Sequence, residues 1–138
     1  MNRKYFARKI KIDGHTFDSK TEAARYQTLR TREKQGTIQK LEMQKEFELL
    51  PKQTKLVKVQ LKTKSKIVER VDEKAVRYHC DFFYFDTLTG KWVIEEVKSR
   101  MTAQIRDYPL RRKLVKLMVK RLNEEAGSEL YIFREIIA

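Results

Sequence analysis

The chain has 138 residues, the length of one domain, and 41% of them are hydrophobic, as in a folded protein and unlike a disordered tail. Its 32 lysines and arginines against 19 acidic residues give a formal net charge of +13, which attracts polyanions such as nucleic acid. No stretch approaches the roughly 20 apolar residues that span a bilayer, so we expect no membrane partner.

Cysteine and histidine are rare in this chain. Cys80 is the single cysteine, so no internal disulfide can form, which fits a reducing, cytoplasmic compartment. His15 and His79 are the only histidines, so a structural zinc site is nearly excluded. The basic residues 1–11 do not lead into the apolar run of a signal peptide, and we expect a basic N-terminal arm there.

The first predicted element is a helix over residues 19–35. Ser19 can cap its start, apolar residues recur through it at helical spacing, and Gly36 stands where helices end. Residues 38–50 then predict one strand with imperfect alternation, closed by Pro51.

A lysine-rich segment follows. Residues 55–61 alternate in short steps and predict another strand, after which the chain up to Lys74 is poor in apolar residues. We expect this second part to be a solvated excursion, so that residues 53–74 form a basic insertion. This insertion has two possible roles, and the first is a surface loop that binds nothing, since basic runs usually stay solvated. Otherwise its lysines contact DNA, and the candidates are Lys62, Lys64 and Lys66.

The second half of the chain is richer in branched and aromatic residues. Residues 75–85 and 92–98, separated by the turn at 87–90, predict a hairpin. Helical spacing of leucines predicts a helix over residues 105–126, and residues 130–137 predict a last strand.

The second helix carries a basic exterior that is either a solvated face or a phosphate-binding one. On so basic a chain we favour phosphate contacts, with Arg111, Arg112 and Lys113 as candidates. Taken together, the elements predict one α/β domain whose mixed sheet is flanked by helices.

Strand geometry brings acidic groups together in the hairpin. Side chains alternate between faces, so Glu96 and Lys98 share one face while Glu95 points to the other. With a turn at residues 87–90, Asp81 falls opposite Glu96, where Cβ atoms are about 5 Å apart. Two carboxylates and an ammonium group are therefore predicted to converge.

Carboxylates this close repel each other unless a cation neutralises them. Oxygen ligands select hard ions such as Mg²⁺ or Mn²⁺, whose waters can be activated to attack phosphorus. Lys98 beside such an ion can orient the water or stabilise charge on the phosphate. The alternative is a solvated charge cluster, but Asp81 stands in an aromatic run where an uncompensated carboxylate is costly to bury.

The chain resembles the PD-(D/E)XK nuclease motif at Asp81, which is followed by a turn and then by Glu96-Val97-Lys98. Cys80 stands where the motif's name has proline, at a position that varies in the superfamily. The resemblance implies a restriction-endonuclease-like core with the order αβββαβ, here with the basic insertion before the catalytic hairpin.

Residues 11–23 resemble a narrower family, the small phage-encoded endonucleases related to Holliday-junction resolvases. Their sequence is Lys-Ile-Asp-Gly-His-Thr-Phe-Asp-Ser-Lys-Thr-Glu-Ala. With residues 41–47 and 81–98, this resemblance covers most of the chain except residues 53–74. It implies a phage-encoded, cytoplasmic enzyme that acts in a bacterial host.

The same resemblance assigns roles to individual residues. Asp81, Glu96 and the backbone carbonyl of Val97 would hold Mg²⁺ or Mn²⁺, and Lys98 would act in catalysis. Glu22 would reach the metal directly or through water, although with Ser19 it also fits a capping box. Gln44 would be an auxiliary polar group.

The predicted function is a metal-dependent DNA endonuclease that works as a homodimer and resolves branched DNA such as four-way junctions. Two alternatives stay open. One is a nicking or double-strand endonuclease without junction selectivity, and the other is a basic DNA-binding protein whose carboxylates are structural.

Overall fold

A computed structural model describes residues 9–99 and 107–137. The chain divides into two compact units, the described parts of Met1–Lys45 and His79–Ala138 forming one and Glu46–Tyr78 the other. None of the helices in the described ranges has the length and apolar character to cross a membrane. In chain order the described elements are β1 (Ile10–Ile12), β2 (His15–Phe17), α1 (Lys20–Lys34), β3 (Ile38–Met43), β4 (Glu46–Leu50), β5 (Gln53–Gln60), β6 (Ser65–Glu73), β7 (Val76–His79), β8 (Phe82–Asp86), β9 (Lys91–Lys98), α2 (Asp107–Ala126) and β10 (Tyr131–Ile137).

A four-stranded mixed sheet with the order β10-β9-β8-β3 forms the centre of the first unit. Strand β10 runs parallel to β9, while β8 is antiparallel to both β9 and β3. The prediction of mixed α and β structure around a mixed sheet is confirmed.

Helix α1 supplies the core on one face of this sheet. Ser19 caps it, its hydroxyl accepting a hydrogen bond from the Glu22 N–H at 3.1 Å, as the sequence predicts. The helix buries Ala23, Tyr26 and Leu29, which belong to one apolar cluster with the strand residues Phe82, Tyr84, Val93 and Val97. This packing fixes the start of α1 near the end of β9.

The hairpin of β8 and β9 has the predicted register. Asp86 pairs with Lys91 and Phe82 with Glu95, around the turn at residues 87–90. Glu96 and Lys98 therefore share a face, and Glu95 lies on the α1 face, as expected from strand alternation.

Two predicted strands are each broken in the structure. Residues 38–50 form β3 and β4, because Gln44 between them has a left-handed φ of 56°. Lys40, also with φ of 56°, lies at an irregularity inside β3. Residues 75–85 form β7 and β8, with a break at Cys80 and Asp81.

The predicted N-terminal arm is partly wrong. Residues 1–8 lie outside the described part of the chain, but Ile10–Ile12 pairs with His15–Phe17 in a short hairpin that packs Phe17 into the core. Alternation over three residues is too short to stand out in a sequence.

The stretch up to Lys74 is exposed, as expected, but it contains a regular strand that was not predicted from the sequence. Strand β6 pairs with β5 along its whole length in an antiparallel two-stranded sheet, and β4 pairs with β7 in another. The charges in β6 alternate irregularly with Ile67, Val68 and Val71, which hid the strand in the sequence.

The last two elements match the sequence closely. Helix α2 spans Asp107–Ala126, and β10 spans Tyr131–Ile137. Residues 105 and 106 of the predicted helix lie outside the described residues.

Candidate active site

A cavity of about 320 Å³ opens at the C-terminal end of β9, in the first unit. It is lined by Asp18, Ser19, Thr21, Glu22, Gln44, Asp81, Val97, Lys98 and Ser99. Most of the predicted site residues thus meet at one place, although they come from α1, β9 and the breaks that follow β3 and β7.

Asp81 is held beside β9 by two hydrogen bonds to the backbone of that strand. Its N–H donates to the Glu95 carbonyl at 3.1 Å, and its Oδ2 accepts from the Val97 N–H at 2.7 Å. The regular pairing of β8 with β9 ends at Phe82 and Glu95, and these two bonds hold Asp81 beside residues 95–97 of β9. Gln44 lies against the other side, its N–H donating to the Asp81 carbonyl at 3.3 Å.

Glu96 and Lys98 form an ion pair on the face of β9 that α1 does not cover. The Lys98 Nζ lies 3.1 Å from the Glu96 Oε1, and the Glu96 side chain is almost fully buried. The same ammonium lies 5.7 Å from the centre of the Tyr108 ring on α2. Lys98 is thus held between a carboxylate and an aromatic face.

Glu22 enters the cavity from the first turn of α1. Burial, followed by the charges of Asp18 and Glu96, raises the pKa of Glu22, and Lys98 partly opposes the rise. Ser19 does cap the helix, so capping and a place in the cavity are compatible.

Asp81 has the most perturbed of the cavity carboxyls. Burial is the main cause and the negative charges of Glu96 and Glu22 add to it, so the pKa of Asp81 rises to about 7, against the opposing effects of the Val97 N–H and Lys98. The carboxylates are therefore crowded at neutral pH without enough positive charge to neutralise them.

The site's fit to a divalent cation rests on this donor chemistry. Carboxylate oxygens and the carbonyl of Val97 are ligands that hard ions prefer. Within residues 9–99 and 107–137, no three His, Cys, Asp or Glu side chains stand in a finished metal-binding arrangement. Binding would therefore require side-chain rotation, including at Glu96, whose carboxylate pairs with Lys98.

Glu95 forms a second charged cluster on the opposite face of β9. Its fully buried carboxylate receives two hydrogen bonds from the Arg25 guanidinium, at 2.7 and 2.8 Å, and one from the Tyr84 hydroxyl at 2.8 Å. Arg134 in turn donates to that hydroxyl at 3.0 Å. Because Arg25 is one helical turn after Glu22, this ion pair ties α1 to β9 beside the cavity.

The remaining predicted residues lie elsewhere. Lys62 and Lys64 belong to the turn between β5 and β6, and Lys66 lies on β6. Arg111 and Lys113 are exposed on α2, and Arg112 is half-buried. Cys80 is fully buried and burial raises its thiol pKa to about 12, which fits a small core residue and not a nucleophile.

Sequence reasoning missed several polar residues near the site. Asp18 and Thr21 flank the cap of α1 and line the cavity, and their position next to Ser19 and Glu22 was the available signal. The Tyr108 hydroxyl donates to Glu135, which pairs with Glu96 across β10 and β9. Nothing in the sequence indicated this contact, because it depends on the parallel placement of β10.

Comparison with known proteins gives a family but no activity. The chain belongs to the family described as "Protein of unknown function (DUF1064)", whose profile matches residues 2–128. No curated protein matches the chain, and neither does any solved structure.

The Arg25–Glu95 pair leads to a prediction about stability. Glu95→Gln leaves the mostly buried guanidinium of Arg25 without its counter-charge, which should lower the free energy of unfolding by about 3–5 kcal/mol. Urea denaturation followed by circular dichroism measures this. Glu124→Gln, an exposed position on α2, is the control and should change little. A loss at Glu95 no larger than about 0.5 kcal/mol, as at an ordinary surface site, would contradict the assignment.

Proposed function

We propose that this protein is a metal-dependent endonuclease that hydrolyses DNA phosphodiester bonds at the Asp81, Glu96 and Lys98 cluster. The observation that carries the proposal is that Glu22, Asp81 and Lys98 line one open cavity, while the buried Glu96 pairs with Lys98 next to it. Burial and the charges of Glu96 and Glu22 raise the pKa of Asp81, and burial with the charges of Asp18 and Glu96 raises that of Glu22, as happens to carboxyl groups at functional sites.

The carboxyls of Asp81 and Glu96 and the carbonyl of Val97 are the proposed ligands of Mg²⁺ or Mn²⁺. When bound, such an ion supplies Lewis acidity and an activated water. Glu22 would contact the ion directly or through a water. Gln44, which donates its N–H to the Asp81 carbonyl and lines the cavity, would be an auxiliary polar group. Lys98 would orient the water or stabilise charge on the scissile phosphate with its ammonium group.

The order of elements supports a restriction-endonuclease-like core. In the first unit α1, β3, β8, β9, α2 and β10 follow one another as αβββαβ, and the site residues lie on α1 and along the β8–β9 hairpin. This is the arrangement that the PD-(D/E)XK resemblance implies.

Duplex DNA is the proposed substrate because of the net charge of +13. Arg111, Arg112 and Lys113 on α2 are proposed phosphate contacts. A four-way junction is cut on two strands related by approximate two-fold symmetry, and each chain offers one such cluster, so resolution of a junction calls for a homodimer. Equal cleavage of a junction and of a linear duplex with the same sequence would favour an endonuclease without junction selectivity.

The first functional prediction concerns the three central residues. Asp81→Asn, Glu96→Gln and Lys98→Ala should each lower the rate of Mg²⁺-dependent nicking of supercoiled plasmid by at least about 100-fold, because each removes a ligand or the charge next to the phosphate. DNA binding in EDTA should stay near that of the wild type.

Matched substitutions at exposed positions on the helices, Glu124→Gln and Lys34→Ala, are the controls and should nick normally. Wild-type protein that binds DNA but fails to nick it in Mg²⁺ or Mn²⁺ would refute the proposal and leave a DNA-binding protein.

A separate prediction distinguishes the two roles of Glu22. Glu22→Gln should reduce nicking severely if the carboxylate serves the metal, whereas glutamine also fits a capping box and would preserve a purely structural role. Thermal unfolding of the same sample checks the cap. Near-normal nicking at an unchanged melting temperature would remove Glu22 from the site.

The raised pKa of Asp81 predicts a pH dependence. In the metal-free protein this pKa lies at about 7, above its ordinary value of 3.8, so the fold binds a proton that the unfolded chain releases. That contribution to stability is full below the ordinary pKa and is lost as pH rises through about 7. A cation competes with the proton, so the Mg²⁺-induced rise in melting temperature should grow from about pH 6 to about pH 8.

Differential scanning fluorimetry at several pH values, with and without Mg²⁺, measures this change. Asp81→Asn should remove most of the pH dependence. A Mg²⁺ effect that is equal at all these pH values would contradict the assignment of Asp81 as a ligand.

A further inference from the structure

Strands β5 and β6 form a two-stranded antiparallel ribbon, and in the described residues no third strand pairs with it. Its register runs from Gln53 opposite Glu73 to Gln60 opposite Ser65, and the Leu61 N–H donates to the Lys64 carbonyl at 2.7 Å to close the turn. The eight residues of β5 span about 26 Å at the usual rise of a strand.

Charge is distributed unevenly along this ribbon. From Gln53 to Val68 there are five lysines and no acidic residue: Lys55, Lys58, Lys62, Lys64 and Lys66. The acidic residues Glu69, Asp72 and Glu73 lie at the opposite end from the turn, where Asp72 pairs with Lys55 at 3.3 Å. The turn and its neighbouring residues are therefore purely cationic.

One face of the ribbon carries three exposed apolar side chains, together with the charged Glu69 and Lys58. Leu56 pairs with Glu69, so Ile67 and Val71 are its diagonal neighbours on the same face. The exposed fractions of Leu56, Ile67 and Val71 are 75%, 69% and 53%. Three large apolar side chains are thus in solvent on a strand pair, where they cost free energy unless a partner covers them.

We propose that the β5–β6 ribbon lies in the major groove of duplex DNA, with its lysines on the phosphates and the Leu56, Ile67 and Val71 face against the bases. This inference rests on DNA being the partner in the proposed function. The major groove of B-form DNA is about 12 Å wide and admits a two-stranded ribbon, and apolar side chains there contact thymine methyl groups.

Charge complementarity favours DNA over the other occupants of this face. A second copy of the ribbon would bring two lysine-rich turns together, which like-charge repulsion opposes. An anionic membrane surface would accept both the lysines and the apolar face, so it is an arm of the test.

The experiment measures binding of labelled duplex DNA at several salt concentrations, in EDTA and in the Asp81→Asn background, so that binding is independent of cleavage. For protein with the wild-type ribbon, the slope of log affinity against log salt concentration should be about −0.9 for each phosphate contact. The triple variant Lys62→Ala, Lys64→Ala and Lys66→Ala should reduce that slope by roughly 2 to 3. Lys34→Ala, on α1, is the control and should leave it unchanged.

The apolar face is tested by Leu56→Thr with Ile67→Thr, which keeps residues favourable in strands. Affinity for DNA should fall at least about fivefold with an unchanged salt slope, because no charge is removed. Leu88→Thr, at the exposed turn of the β8–β9 hairpin, is the matched control. The double variant should not weaken binding to duplex RNA of the same sequence, whose narrow major groove excludes a ribbon.

An unchanged salt slope in the lysine variant, or unchanged DNA affinity in the threonine variant, would overturn the proposal. It would also be overturned if both variants lost binding to phosphatidylserine vesicles while keeping that to DNA. Failure of the wild type to cleave DNA, with these binding results intact, would instead refute the proposed activity and leave the ribbon assignment in place.

Discussion

Repulsion among the carboxylates at the end of β9 is the interaction that determines the electrostatics of the site. Asp81 is fixed by the backbone of β9, and Glu96 follows from the strand's alternation, so neither can move far from the other. Lys98 supplies one positive charge, yet the pKa of Asp81 is still raised to about 7. The proposed divalent cation would neutralise these charges, and the proposed phosphodiester hydrolysis would use the water that it activates.

The opposite face of the same strand explains how the cluster is held in place. Glu95 and Arg25 form a buried, doubly hydrogen-bonded pair, and Arg25 lies one turn beyond Glu22 on α1. Adjacent glutamates on β9 therefore have different contacts: Glu95 ties the helix to the strand, and Glu96 pairs with Lys98 next to the cavity. The fixed helix then presents Glu22 to the same space.

Much of this arrangement follows from local sequence rules. The four-residue turn between β8 and β9 sets the predicted register from Asp86 opposite Lys91 to Phe82 opposite Glu95, and the cap at Ser19 sets the start of α1. The features that could not be predicted from the sequence depend on contacts between distant elements or on local backbone conformation. The left-handed residue Gln44 ends β3 within a predicted strand, and β6 was missed because its charged residues alternate irregularly with its apolar ones.

Manganese offers the most direct test of the central claim, since its anomalous scattering locates the ion without reference to activity. Crystals of the full chain grown with MnCl₂ should give an anomalous peak within about 2–2.5 Å of carboxylate oxygens from Asp81 and Glu96 and of the Val97 carbonyl. The peak should be absent in Asp81→Asn crystals. Well-ordered wild-type crystals at neutral or higher pH that give no peak in this cavity, or a peak bound only elsewhere, would contradict the account.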